Sequence, residues 1–166
     1  LCCWFDSSSG YFFCQKKRTK QTFIFTFGAL LAGNLNSMTT STLIEKAKDA
    51  QKMAYQPYSH YSVGAALLGK SGKVYLGCNV ENASYGLTNC AERTAIFKAV
   101  SEGEREFEAI AIVTKDGGMP CGACRQVLNE FSPKMEVIAA DEHGRIHFQK
   151  LLDQLLPDAF GPANLQ

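Results

Sequence analysis

The chain has 166 residues and a formal net charge of +1, with 46% apolar and 20% charged side chains, the make-up of one ordinary globular domain. The positive charge is gathered at one end: residues 1–37 hold Lys16, Lys17, Arg18 and Lys20 against Asp6 alone, so the rest of the chain is mildly acidic. A body without a basic surplus is poorly equipped to grip a phosphate backbone, which argues against a polynucleotide partner.

Residues 1–37 read as a segment apart. The basic stretch KKRTK at 16–20 precedes the apolar run TFIFTFGALLAG at 22–33. That is the layout of a secretory signal peptide, and the run is shorter than the ~20 residues a membrane span needs. The expectation is an extraneous or targeting leader over 1–37, without ordered structure, ahead of a domain over 38–166. Upstream sequence read through to a start at Met38 is the first reading of it. A signal or transit peptide and an ordered arm are the alternatives.

In the body, Leu43, Ala47, Ala50 and Ala54 recur on one helical face, with Thr42 as N-cap and Pro57 as terminator. VGAALL (63–68) and VYLGCNV (74–80) read as strands, and GKSGK between them as a hairpin turn. ENASYGLTN is a polar loop. Residues 90–102 read as a helix stopped by Gly103, and Asn89 and Glu92 have the spacing of a capping box. FEAIAIVT (107–114) is a strand, KDGGMP a loop and 121–131 a helix. MEVIAAD (135–141) and RIHFQ (145–149) are strands about a turn at His143-Gly144, and Leu151, Leu152, Leu155 and Leu156 indicate a short last helix before Pro157. Alternation of strand and helix in the middle implies parallel pairing there, with the hairpin as an antiparallel edge. The fold class is α/β, a three-layer α/β/α arrangement around a mixed sheet of about five strands.

Seven cysteines, an odd number, do not spell a disulfide framework. Cys121 and Cys124 share a helix face, Pro120 is placed to start that helix, and thiols at a helix N-terminus ionise readily. Taken alone, this pair reads as a redox pair or half of a structural zinc knuckle, with catalytic zinc as a lesser alternative. Cys90 opens the preceding helix, and successive helix N-termini in such units lie at one sheet edge, where ligands bind. Three thiolates with an open fourth position are the pattern of a catalytic zinc, while Cys78, inside a strand, reads as a buried apolar residue. Glu92, two residues from Cys90, is placed to move protons for a water at such a site. Three thiolates on Zn²⁺ leave an excess negative charge. Arg93 and Arg125 are cations at the positive ends of helices, where they are disfavoured, and a guanidinium bonded to a thiolate would offset that charge.

CAERTAI at 90–96 and PCGACRQ at 120–126, with YSVGAALL, GCNVENASYG and LLPDAFGP in the same order, closely resemble the free-nucleoside cytidine deaminases from about Thr42 onward. The leader has no counterpart. The resemblance implies zinc-dependent hydrolytic deamination of cytidine and 2′-deoxycytidine to the uridines with release of ammonia, in pyrimidine salvage. It implies one Zn²⁺ per subunit on Cys90, Cys121 and Cys124, with Glu92 passing protons to N3 and the leaving amine. Asn79 and Glu81 match the pair that holds the ribose hydroxyls. Tyr61 falls where the family usually has a phenylalanine lining the base pocket, and Tyr61-Ser62 stands in place of its Phe-Pro. Ala83 and Tyr85 match positions reaching into a neighbouring active site, and Phe160 the aromatic that stacks on the base from another subunit. A cytoplasmic homotetramer with shared active sites follows, with no polymer or membrane partner. A blasticidin-type deaminase would share the zinc motifs, but the CAERTAI context and the Phe160 tail count against it. A polynucleotide-editing deaminase would more often begin its ligand set with histidine. A non-catalytic zinc module would need a fourth ligand and would have no use for Glu92.

Overall fold

The computed structural model describes residues 2–6, 11–15 and 38–165. The chain divides into two units, Leu1–Ser37 and Met38–Gln166. In the first, strands β1 (Cys2–Asp6) and β2 (Tyr11–Gln15) pair antiparallel, a pairing the sequence reading does not anticipate. The basic and apolar stretches on which the leader expectation rests lie outside the described residues.

The second unit begins with α1 (Thr40–Gln51). Its N-cap is Thr39, whose hydroxyl accepts the Thr42 N–H at 3.2 Å, so the helix starts earlier than a Thr42 cap would place it. It also ends well before Pro57. Beyond Gln51 the backbone is drawn to the sheet: the Tyr55 N–H donates to the Asn79 carbonyl (3.0 Å), and the Tyr55 carbonyl accepts the Glu81 N–H (2.8 Å).

Strands β3 (Gly64–Gly69), β4 (Val74–Cys78), β5 (Phe107–Val113), β6 (Glu136–Ala140) and β7 (Ile146–Leu151) form one sheet in the order β4-β3-β5-β6-β7. Helices α2 (Ala91–Ser101) and α3 (Gly122–Phe131) make the two crossovers. The parallel pairing expected in the middle is confined to β5–β6; every other neighbour in this sheet is antiparallel. β4 and β5 run the same way, but β3 lies between them. The expected last helix is only a 3-10 turn at Leu152–Gln154, because Leu151 is spent as the last residue of β7.

Alternation along the strands builds the three layers. Ala65, Leu67, Ile110, Ile112 and Val137 face α2 and α3, packing with Ala95, Ile96, Ala99 and Leu128. Ala66, Leu68, Ala109, Ala111, Val113 and Ile138 face α1, packing with Leu43, Ile44 and Ala47. Covered on both faces, β3 is buried along its whole length, which is why it reads as a continuous apolar run. Full burial of one such Leu or Ile side chain is worth about 1.5–3 kcal/mol.

Two glycines set how close the helices come. A Cβ on Gly64 would lie 2.0 Å from the Ala47 carbonyl oxygen of α1, and one on Gly77 2.3 Å from the Ala91 carbonyl oxygen of α2. Because β4 and β5 point the same way, the loops after them emerge at one edge of the sheet, and α2 and α3 both begin there. Among the described residues no helix is long and apolar enough to cross a membrane.

Candidate active site

That shared edge brings three thiols together. Cys90 and Cys121 are the N-cap residues of α2 and α3, both in extended backbone, and neither side chain is used for capping. Cys124 lies one turn into α3 and is buried; Cys90 is half-buried and Cys121 exposed. The three sulfurs lie within 4.8 Å of one another, and the Cys121 thiol donates to the Cys124 sulfur at 3.5 Å. Thiolates about 3.8 Å apart would surround a tetrahedral ion with zinc–sulfur bonds of ~2.3 Å, so the trio fits zinc with little adjustment. Cys90 ionises easily: a hydrogen bond from Cys124, and then the Arg93 guanidinium, lower its pKa to about 5. Cys124, donor to Cys90 and buried, is pushed the other way.

Arg93 has a reason to sit in the first turn of α2. Its Nη2 donates to Cys90 Sγ at 3.2 Å and to the Thr88 carbonyl at 3.0 Å. Arg125 does not repeat the pattern expected of it. Its Nε donates to the Pro120 carbonyl (2.8 Å) and its Nη1 to the Leu155 carbonyl (2.9 Å), which fixes the guanidinium between the start of α3 and the segment after β7.

Glu92 is only 4% exposed. Burial pushes its carboxyl above the usual range, and the charge on Cys90 adds to the effect. The capping box expected of Asn89 and Glu92 is not formed. Asn89 is drawn into a bridge with Val80, each N–H donating to the other's carbonyl (2.9 and 3.0 Å), and its Nδ2 donates to the Thr94 hydroxyl (3.0 Å). Cys90 becomes the cap instead.

The family model for the cytidine and deoxycytidylate deaminase zinc-binding region matches residues 37–140, which include all three clustered thiols and Glu92. A cytidine deaminase of Sporosarcina psychrophila is 49% identical over 131 residues, covering 77% of this chain and 96% of that protein. One from Halalkalibacterium halodurans is 53% identical over 126 residues, covering 74% and 95%. The crystal structure of cytidine deaminase from Burkholderia pseudomallei superposes with a TM-score of 0.71 at 52% identity, covering 74% of this chain and all of that one. The chain belongs to the cytidine deaminase family. It has the family's α/β fold and its dependence on zinc.

The remaining residues that the family resemblance singled out are found in different states. Asn79, 7% exposed, accepts the Val63 N–H at its Oδ1 and donates to the Tyr61 carbonyl from its Nδ2, both at 2.9 Å. Glu81 accepts the Tyr58 and Ser59 N–H groups (2.9 and 3.2 Å) and the Ser59 hydroxyl. These bonds, the Ser59 hydroxyl foremost, hold its carboxyl below the usual range. Both residues thus brace the 58–63 segment. Ala83 and Tyr85 lie on an exposed stretch, where the Tyr85 ring meets Tyr58 edge-on with centroids 5.6 Å apart. Phe160 is 59% exposed; its ring does not anchor the tail to the core, and its carbonyl accepts a bond from Gln126 of α3 (2.8 Å). Cys78 stands outside the sulfur cluster, half-buried, with its thiol on the Met53 carbonyl (3.3 Å). Residues without a role in the sequence reading now have one: Ser59, Thr114, Asp116 and Gln126 each bond to a site-bearing segment. For all but Gln126, which lies inside PCGACRQ, no local motif marks them.

Proposed function

We propose that the chain is a zinc-dependent hydrolytic deaminase of cytidine and 2′-deoxycytidine, yielding the uridines and ammonia. The observation that carries this reading is a buried carboxyl, Glu92, in the first turn of the helix that Cys90 caps, beside three converging thiols. Cys90, Cys121 and Cys124 would hold the ion. When bound, zinc supplies the Lewis acidity that makes water a nucleophile near neutral pH. Glu92 would take the proton from the attacking water and deliver protons to N3 of the base and to the departing amine. A carboxyl whose protonated form is favoured by burial is suited to both duties. Arg93, bonded to Cys90, would offset part of the negative charge that three thiolates bring to an ion held there.

Asn79 and Glu81 position the ribose hydroxyls, either directly or through the segment they brace, and Tyr61 lines the base pocket. Ala83, Tyr85 and Phe160 complete the sites of neighbouring subunits in a homotetramer; the exposure of Tyr85 and Phe160 in the single chain supports this. A role in cytoplasmic pyrimidine salvage goes with a free-nucleoside substrate. Residues 38–166 carry the activity and the leader is dispensable to it.

The experiment is to incubate purified protein with cytidine and measure ammonia release and bound zinc together, for the whole chain and for a chain beginning at Met38. The expected outcome is one zinc per subunit and turnover in both. Zinc without turnover would favour a non-catalytic zinc module, and loss of activity only in the shorter chain would make the leader part of the working protein.

A further inference from the structure

The loop that delivers Cys121, residues 114–120, is tied down from a side that metal binding does not require. The Thr114 hydroxyl donates to Asp116 Oδ1 (3.1 Å) and accepts the Gly118 N–H (2.6 Å). The same Asp116 oxygen accepts the hydroxyl of Tyr61, and a Cβ on Gly118 would come within 3.1 Å of that phenolic oxygen. Tyr61 belongs to the 58–63 segment, which is held by Asn79 and Glu81 and, through the Ser62 carbonyl, by Gln51 of α1 (3.0 Å). One phenolic hydroxyl therefore joins the segment braced by Asn79 and Glu81 to the loop that ends at the N-cap of α3.

We propose that Tyr61 is a positioning residue, whose hydroxyl on Asp116 latches the 114–120 loop to the 58–63 segment and so fixes Cys121 relative to the groups that receive the nucleoside. Aromatic bulk at this position fills space; the oxygen does the tying. The bond also accounts for an Asp116 carboxyl held below its usual range. The proposal rests on Cys121 as a metal ligand and cytidine as substrate, so its test includes a measurement that needs neither.

The variants are Tyr61→Phe, Asp116→Ala and the two combined. In the metal-free protein, alkylation of Cys121 by iodoacetamide, followed by mass spectrometry, should speed up in Tyr61→Phe by roughly 2- to 12-fold, the worth of one net hydrogen bond. Cys78 in the same sample should react as before. A general loosening of the fold would instead speed both thiols. In zinc-loaded protein kcat/KM for cytidine should fall within the same range. The combined variant should be no worse than Asp116→Ala alone, since loss of the Asp116 acceptor already removes the Tyr61 bond along with the Thr114 bond. A Cys121 rate in Tyr61→Phe equal to that of the unaltered protein overturns the latch, as do single effects that multiply in the combination. If the unaltered protein does not deaminate cytidine, the assigned reaction fails while the Cys121 rates still decide the latch.

Discussion

Glu92 forms no capping box for its helix, and its carboxyl is almost wholly out of contact with water. Glu92→Gln keeps size and shape and removes only the ability to move a proton. Zinc content and unfolding temperature should stay near those of the unaltered protein, while kcat drops by at least ~10²–10⁴-fold, the usual range for one general acid–base step. A variant that turns over cytidine at the original rate would remove Glu92 from the mechanism. At this scale the sequence was legible where chemistry depends on short spacing. Cys121 and Cys124 are one turn apart, and Glu92 and Arg93 lie two and three residues after Cys90. It was opaque where a side chain chooses among distant partners. Nothing near Arg125 foretells that its donors go to Pro120 and Leu155, and nothing near Tyr61 points to Asp116.

Elements carry the thiols into place, and the glycines beneath them control the fit. At Gly77 a methyl group would meet the Ala91 carbonyl oxygen at 2.3 Å and the Ala95 nitrogen at 2.5 Å, so α2 would have to move off the sheet and take Cys90 with it. Gly77→Ala should therefore lose both stability, by about 1–3 kcal/mol for an overpacked core, and zinc affinity. Gly64→Ala makes a comparable collision with α1, a helix that bears none of the three thiols. It should cost stability in the same range yet leave zinc stoichiometry intact in the folded fraction. Denaturant melts paired with metal analysis distinguish the two; equal zinc loss in both would mean that the close approach of α2 has no special part. Strands and helices were readable because both sheet faces are covered and apolar runs mark them. Their ends were not. Asn89 looked like a cap because it precedes a helix with a glutamate at the right distance, but pairing with Val80 gives its backbone to the sheet.

For the whole molecule, the open question is where Phe160 acts. Its carbonyl is tied to Gln126 on α3, and its ring is left largely in solvent. Base–aromatic stacking is worth ~1–3 kcal/mol by alanine substitution, so Phe160→Ala should lower kcat/KM by roughly 5- to 150-fold without loss of zinc. Mixing Phe160→Ala with Glu92→Gln and allowing subunits to exchange tests the assembly itself. If the ring is donated between subunits, some mixed oligomers contain a site with both groups intact, and activity returns in part. No recovery, with exchange followed by an independent label, would confine Phe160 to its own chain. Such sharing is not legible from spacing within one chain, because assembly, and not chain geometry, would bring the ring to the base.

The position of β3 between β4 and β5 has a consequence for the order of events during synthesis. The β3–β4 hairpin closes through residues 70–73 alone, whereas β5 must return past β4 across residues 79–106 to pair with β3, and β6 must wait for the second crossover. Long closures of this kind come late in folding. Cys90 lies in the first crossover and Cys121 and Cys124 in the second, so the folded arrangement that brings the three thiols together is complete only once β6 has paired with β5. The topology thus predicts that metal capture waits for β6, and zinc analysis of chains truncated before Glu136, which should bind no ion at the three-thiol site, checks it.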